Sequence, residues 1–180
     1  MKRVLGIDCG STATGYGLIE TNGKTSAMVV CGVIRSRPHS PFADRLCSIS
    51  QSLRELIGIH TPAEVAIEGI FHSVNARSAL QLGHVRGVAI LIAAEAQLPI
   101  YEYSPLQIKS SVVGYGRAEK NQVQEMVKLL LRLDAKPAED AADALAVALC
   151  HAHNSLTLTK LSGSVSRTPA RAARSLATQA

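Results

Sequence analysis

Two aspartates, Asp140 and Asp143, stand three residues apart at the head of the alanine-rich stretch 137–153, PAEDAADALAVALCHAH. On a helix that spacing puts both carboxylates on one face, offset by only about 4.5 Å along the axis, so they can address one site together. Acids in a first helical turn are also favoured by the helix dipole, and Pro137 suits such a turn, so the pair alone equally describes a well-started helix. Two further acids change the balance. Asp8 ends the apolar run RVLGID just before a glycine turn, and Glu68 ends a second short apolar run, AIE. An ionised carboxylate in an apolar strand costs several kcal/mol (~3 or more) unless something compensates it. If the strands of Asp8 and Glu68 are neighbours and the last helix packs its alanine face across them, four carboxylates converge. Four anions repel strongly. A pair of divalent, oxygen-preferring ions such as Mg2+ resolves that conflict, with waters and phosphate oxygens completing their shells. Two such ions about 4 Å apart activate a water and stabilise the leaving oxygen of a phosphodiester. The chemistry expected is metal-dependent phosphodiester hydrolysis.

The substrate side is sought between Glu68 and Lys120. Phe71 is one of two phenylalanines in a chain without tryptophan, and it follows Glu68 where a strand should run into a loop. Such a ring is commonly core, but beside metal ligands it can stack on an unpaired base. His72, Arg77, His84, Arg86, Lys109, Arg117 and Lys120 then face only Glu95, Glu102 and Glu119. A solvated helix face explains the run equally simply. As a cationic margin it would position phosphates, with Lys109 and Lys120 in loops or helix starts as the close contacts.

The elements that must hold these groups follow from pattern. RVLGIDCG reads as a central strand buried on both faces. GYGLIE and TSAMVVCGVIRS follow, joined by TNGK with its Asn22-Gly23 pair, so three antiparallel strands open the chain. Leu46, Ile49, Leu53 and Leu56 or Ile57 recur at helical spacing across residues 43–58. EVAIEGIF is a strand, residues 75–97 a long helix loosened at Gly83 or Gly87, and PIYEYS a short strand. PLQIKSSVVGYG is a short helix or turn, and residues 121–133 form a helix with its stripe at Val123, Met126, Val127 and Leu130. The order βββαβαβαα, without internal repeat, predicts one mixed α/β domain over residues 1–154.

Composition bounds the rest. At 180 residues and 47% hydrophobic content the chain is globular, not disordered. It shows no basic-then-apolar leader and no apolar run near the ~18 residues of a membrane span, so a soluble cytoplasmic protein with no membrane partner is expected. Cys9, Cys31, Cys47 and Cys150 form no C-x-x-C pair, which argues against a zinc or redox site and for reduced, mostly buried thiols. The net charge of +5 is misleading. Lys160, Arg167, Arg171 and Arg174 lie in a stretch without acids, leaving 15 basic against 14 acidic residues before it. The folded part is nearly neutral, so a polyanion site on it must come from uneven placement. Residues 155–180 read as a basic, disordered extension with weak attraction for phosphate.

These segments together resemble the RuvC family of bacterial Holliday junction resolvases. LGIDCGSTATGYGLIE, AIEGIF, NARSALQLGHVRGVAI, VVGYGRAEKNQVQEMV and DAADALAVALCHAH follow its pattern in order through residues 2–153. The resemblance implies an RNase H-like fold, with the three antiparallel strands followed by parallel ones and flanked by helices. It implies that Asp8, Glu68, Asp140 and Asp143 are catalytic acids binding Mg2+, two ions per site with Mn2+ as an alternative. Lys109 and Lys120 would then aid DNA binding or cleavage, Phe71 would contact bases, and Arg77 would belong to the DNA-binding margin. It further implies a homodimer that nicks two opposed strands of a four-way junction symmetrically, acting with the RuvA and RuvB branch-migration proteins. The helix at residues 75–97 suits the dimer interface because its small residues permit close packing. The chain departs from the usual pattern at Cys9, where a proline commonly stands, and at Gly69 and His72.

Two rivals come from other classes. DCGST at residues 8–12 resembles the phosphate loop of the sugar kinase and heat-shock ATPase families, but those clamp ATP between two such domains and this chain shows no second glycine-rich loop. A non-catalytic junction-binding protein would be favoured by loss of an acid, and all four are present.

Overall fold

The computed structural model describes residues 1–37, 40–69 and 76–162, with side chains described as far as Ser155. Strands β1 (Lys2–Asp8), β2 (Ala13–Thr21) and β3 (Ser26–Arg35) run antiparallel, as their turn chemistry predicts. Asn22 Oδ1 accepts the backbone N–H groups of Lys24 and Thr25 at 2.9 and 2.8 Å, and Gly23 takes the left-handed conformation (φ 87°) that closes the hairpin. Helix α1 (Phe42–His60) leads to β4 (Glu64–Glu68), and helix α2 (Ala76–Glu95) to β5 (Ile100–Tyr103). Both of these strands are parallel to β1, giving the order β3-β2-β1-β4-β5.

The side-chain alternation of the strands sorts the core into two layers. Leu5 and Ile7 of β1 and Val65 and Ile67 of β4 face α1 and α2, where Ile49, Leu53, Val85, Ala89 and Ile92 cover them. Val4 and Ala66 face the opposite way, into a layer built from α3 (Pro105–Val113), α4 (Lys120–Leu131) and α5 (Glu139–Ser162). By the same alternation, Asp8 and Glu68 belong to the α5 side. The parallel register pairs Ile7 with Ile67, so the next step along each strand brings Asp8 beside Glu68.

Helix α5 is wedged between the sheet and α3 and α4, and its residues from Ala144 to Ala152 are all buried. Such a helix must be apolar all round, which accounts for ALAVALC. Its one large buried polar group, His151, is fully engaged. Tyr103 Oη lies 2.7 Å from His151 Nδ1, His151 Nε2 lies 2.6 Å from Glu64 Oε2, and Lys2 Nζ reaches the same carboxylate at 2.7 Å. These four side chains pin the middle of α5 to β4, β5 and β1.

Several boundaries differ from those expected. Residues 105–113 form a true helix, α3, stopped at Gly114 and started by a capping box between Ser104 and Gln107. Helix α2 passes unbroken through Gly83 and Gly87. Each glycine costs only about 1 kcal/mol in a helix, and burial of Val85, Ala89, Ile92 and Ala93 outweighs that. In α4 the buried stripe is Val123, Val127 and Leu131, one residue on from the expected Leu130, which is exposed. Helix α5 begins at Glu139, after Pro137, and continues to Ser162, past the boundary expected at residue 154. Of the cysteines, Cys47 is exposed.

Candidate active site

The acids meet because the backbone of α5 comes unusually close to the sheet. A Cβ built on Gly15 would lie 1.9 Å from the carbonyl oxygen of Asp140, and one on Gly6 would lie 2.1 Å from that of Ala144. At Gly17 it would sit 2.7 Å from Leu145 Cγ. Gly6, Gly15 and Gly17 are therefore glycines because any side chain would hold the helix off the strands. Gly15 pairs with Asp8 in the β1–β2 register, so the residue that admits the Asp140 backbone is Asp8's own neighbour.

A cleft of about 300 Å³ opens at this end of the sheet. Asp8, Glu68 and Asp143 line it together with Lys109 and Lys120, and Pro105, Ile108, Val123 and Val147 form apolar walls. Asp140 is not among the lining residues, yet it lies near enough to act electrostatically on Asp8 and Asp143. Burial first, and then repulsion from Glu68, push the Asp8 carboxyl up from 3.8 to about 7. Its hydroxyl donates a hydrogen bond to Glu68, whose own carboxyl is raised chiefly by burial although that bond opposes the rise. Asp143 is pushed to about 6 by burial and by Asp8. Among the described residues the counter-charge in ion-pair reach of these acids is Lys120, whose Nζ lies 2.5 Å from Glu139 Oε1 and 3.9 Å from Asp143 Oδ2, while Lys109 also acts on Glu68 from the cleft lining. Its bond to Glu139 raises the lysine further and keeps it charged.

A divalent cation fits this donor set. Every candidate ligand is a carboxylate oxygen, and two of them share a proton that a cation would replace. Among the described residues, no three acids, histidines or cysteines are gathered tightly enough to cage an ion unaided. That open arrangement suits an ion that keeps several waters and accepts phosphate oxygens, not an all-protein cage.

The remaining candidates separate. Lys109 lies within α3, not in a loop or at a helix start, and lines the cleft. Lys120 is the first residue of α4. Arg77 is exposed in the first turn of α2. Phe71 and His72 lie outside the described residues. Two members of the cationic margin do other work. Arg86 is paired with Glu102 and sits beneath the carboxylates, beside Cys9 and Gly69. His84 packs edge-on against Phe42, with Nδ1 2.6 Å from Leu80 O. Sequence reasoning missed Glu139 as the partner of Lys120, and nothing in its local pattern marks it. It also missed the sheet glycines, although Gly15 and Gly17 in GYG occupy one face at the spacing of two that a close-packed helix requires.

A family model described as crossover junction endodeoxyribonuclease RuvC matches residues 4–151. The RuvC of Koribacter versatilis is 50% identical over 161 residues, covering 88% of this chain and 97% of that relative. The RuvC of Syntrophotalea carbinolica is 53% identical over 151 residues, covering 84% and 94%. Among solved structures, Thermus thermophilus RuvC in complex with a Holliday junction substrate aligns with a TM-score of 0.84 at 32% identity, covering 88% of this chain and 98% of that one. The yeast mitochondrial Holliday junction resolvase aligns at 15% identity with a TM-score of 0.63 and supports the fold alone. The architecture is the RNase H-like one, three antiparallel strands followed by two parallel ones between helical layers.

Proposed function

The chain belongs to the RuvC family of crossover junction endodeoxyribonucleases, and from that premise we propose that it resolves four-way DNA junctions by magnesium-dependent nicking of two opposed strands. The observation that carries the reading is the convergence of Asp8, Glu68 and Asp143 in one cleft with Lys109 and Lys120 on its rim.

Asp8, Glu68, Asp140 and Asp143 are the residues that would hold Mg2+, two ions per site, with Mn2+ as a substitute. When bound, such ions polarise a phosphoryl oxygen and lower the pKa of a water to the range of a usable nucleophile. The protein's own groups do the rest. Burial of the carboxylates keeps their field strong at the scissile phosphate. Lys120, held charged by Glu139, and Lys109 in the same lining orient the phosphodiester over the acids. The apolar walls from Ile108, Val123 and Val147 limit the water that reaches it. Arg77 at the head of α2 and Phe71 ahead of that helix belong to the DNA-facing margin, where Phe71 would stack on an unpaired base.

Symmetric nicking requires two such clefts, hence a homodimer. Helix α2 supplies a suitable face, with Leu80 and Leu91 64% and 54% exposed beside Val88 and Leu46. RuvA and RuvB are partners on family resemblance. The described residues contain no helix long and apolar enough to cross a membrane. Action on DNA, on the family reading, is what argues for the cytoplasm. Residues 1–154 carry the nuclease, and the basic stretch beyond them extends its attraction for DNA.

Asp8→Asn tests the assignment. Cleavage of a synthetic four-way junction should fall by about 100-fold or more while junction affinity, measured without divalent ions, stays within about threefold. Normal nicking by that variant would remove Asp8 from the chemistry.

A further inference from the structure

A second polar cavity lies at the same end of the sheet, beyond the catalytic cleft. Arg35 at the end of β3, Ser36, Arg37 and Ser40 beyond it, and Arg45 in α1 line a hollow of about 480 Å³. One acid, Asp44, shares it, placed in the first turn of α1 where the helix dipole favours a carboxylate. Three guanidinium groups against one carboxylate leave an excess of positive charge in a molecule whose folded part is nearly neutral.

Six cations elsewhere are matched by carboxylates, and what marks this cavity is that three unmatched among the described residues line it together. Lys2, Arg3, Arg54, Arg86, Lys120 and Lys136 each meet a carboxylate within ion-pair distance. Among the described residues none of Arg35, Arg37 and Arg45 does. Arg45 is nevertheless fixed in place. Its Nη1 donates to Ser11 O at 3.2 Å and its guanidinium lies 5.2 Å from the centre of the Phe42 ring. Those contacts use few of its five N–H donors. Ser36 Oγ and Arg45 Nε are buried without a hydrogen-bond partner among the described residues. Ser40 Oγ donates to Arg37 O at 2.8 Å.

The cavity is joined to the catalytic acids by the loop after β1. Ser36 N donates to Thr12 O at 3.1 Å, and Arg45 holds Ser11 O. Ser11 is three residues from Asp8, a chain length of at most about 11 Å. A DNA strand rises about 3.4 Å per nucleotide, so a phosphate bound here belongs to a nucleotide only a few steps from the one being cut. Among the described residues no aromatic ring lines the cavity to stack on a base. Phe42 beside it is engaged by Arg45 and His84, and the lining is chiefly hydroxyl and guanidinium, completed by Asp44, Cys47 and Gln51.

We infer that Arg35, Arg37 and Arg45 form an accessory phosphate site that grips the backbone of a junction arm close to the cut. The inference rests on the junction-nuclease reading and adds to it a binding site separate from the carboxylate cleft. Its ligand chemistry is a phosphate diester, and a small free phosphate is the competing source.

The test compares the full-length protein with Arg35→Gln/Arg37→Gln and, separately, with Arg37→Glu. Lys24→Gln, which removes a charge at the far end of the sheet, is the control. Affinity for a four-way junction is measured against salt without divalent ions. The expected result is a salt slope shallower by about one for each phosphate no longer neutralised, with affinity at moderate salt falling about tenfold. Arg37→Glu should weaken binding further, and Lys24→Gln should match the unaltered protein. An unchanged slope in both arginine variants, with the parent binding junctions normally, overturns the accessory site and leaves the nuclease reading intact. A parent that shows no preference for junction DNA overturns both. Inorganic phosphate at matched ionic strength separates the ligand sources. If phosphate raises the melting temperature of the parent but not of the double variant, while the junction slope is unchanged, the cavity serves a free anion and the DNA assignment is wrong.

Discussion

In the cation-free protein, burial and the neighbouring Glu68 hold the Asp8 carboxyl at about 7 against an ordinary 3.8. Between those values the folded chain binds a proton that the unfolded chain has released. The associated stability is therefore fully present below about 3.8 and is lost as the pH rises through about 7. Asp143, raised to about 6, acts in the same direction. In chelator, the melting temperature should fall across this range more steeply than that of Asp8→Asn, which has no charge to gain at that position. A divalent ion favours the ionised acids, so Mg2+ should raise the melting temperature more at about pH 8 than at about pH 5. Thermal denaturation at the two pH values checks both statements, and equal stabilisation by Mg2+ would separate these carboxylates from metal binding. Catalysis, which needs the ionised acids, should run opposite to that cation-free stability, rising with pH through about 6 to 7 and moving to lower pH as Mg2+ is increased.

The strongest demand falls on helix α5, which carries two of the acids and touches the sheet backbone. Gly15→Ala places a methyl 1.9 Å from Asp140 O, so the head of the helix must lift. Ala144→Leu overfills a position on the same helix that is fully buried. Each should cost about 1–3 kcal/mol of stability and reduce cleavage with no charge altered. Chemical denaturation alongside junction cleavage checks this, and full activity from Gly15→Ala would contradict the close approach. Tyr103→Phe leaves His151 short of one partner at 2.7 Å and should cost about 1–3 kcal/mol. Much of this element was legible in the sequence. The Asp140–Asp143 spacing, the alanines and the acids at the ends of two apolar runs require only the periods of helix and strand. What could not be read locally was pairing across distance. Glu139 as the partner of Lys120 and Arg86 as the partner of Glu102 both depend on tertiary position. The extension of α5 to Ser162 is not legible because the Ser- and Thr-containing sequence after residue 154 lacks an apolar stripe, and an established helix propagates more cheaply than a new one nucleates.

At the scale of the whole molecule, the carboxylate cleft and the arginine cavity lie at one end of the sheet, while the Lys2–Glu64–His151–Tyr103 chain ties β1, β4 and β5 to the middle of α5. On the dimeric reading, Leu80→Glu/Leu91→Glu charges an exposed apolar face. The variant should sediment as a monomer and lose paired nicking, while an unchanged dimer would move the interface elsewhere. The most direct measurement uses a four-way junction labelled on each strand, with and without Mg2+, beside a linear duplex of the same sequence and an ATP-turnover control. Nicks at symmetric positions on two opposed strands of the junction, dependent on Mg2+, with the duplex left whole and ATP unconsumed, are the predicted result. A junction bound tightly in Mg2+ yet left uncut would contradict the nuclease assignment.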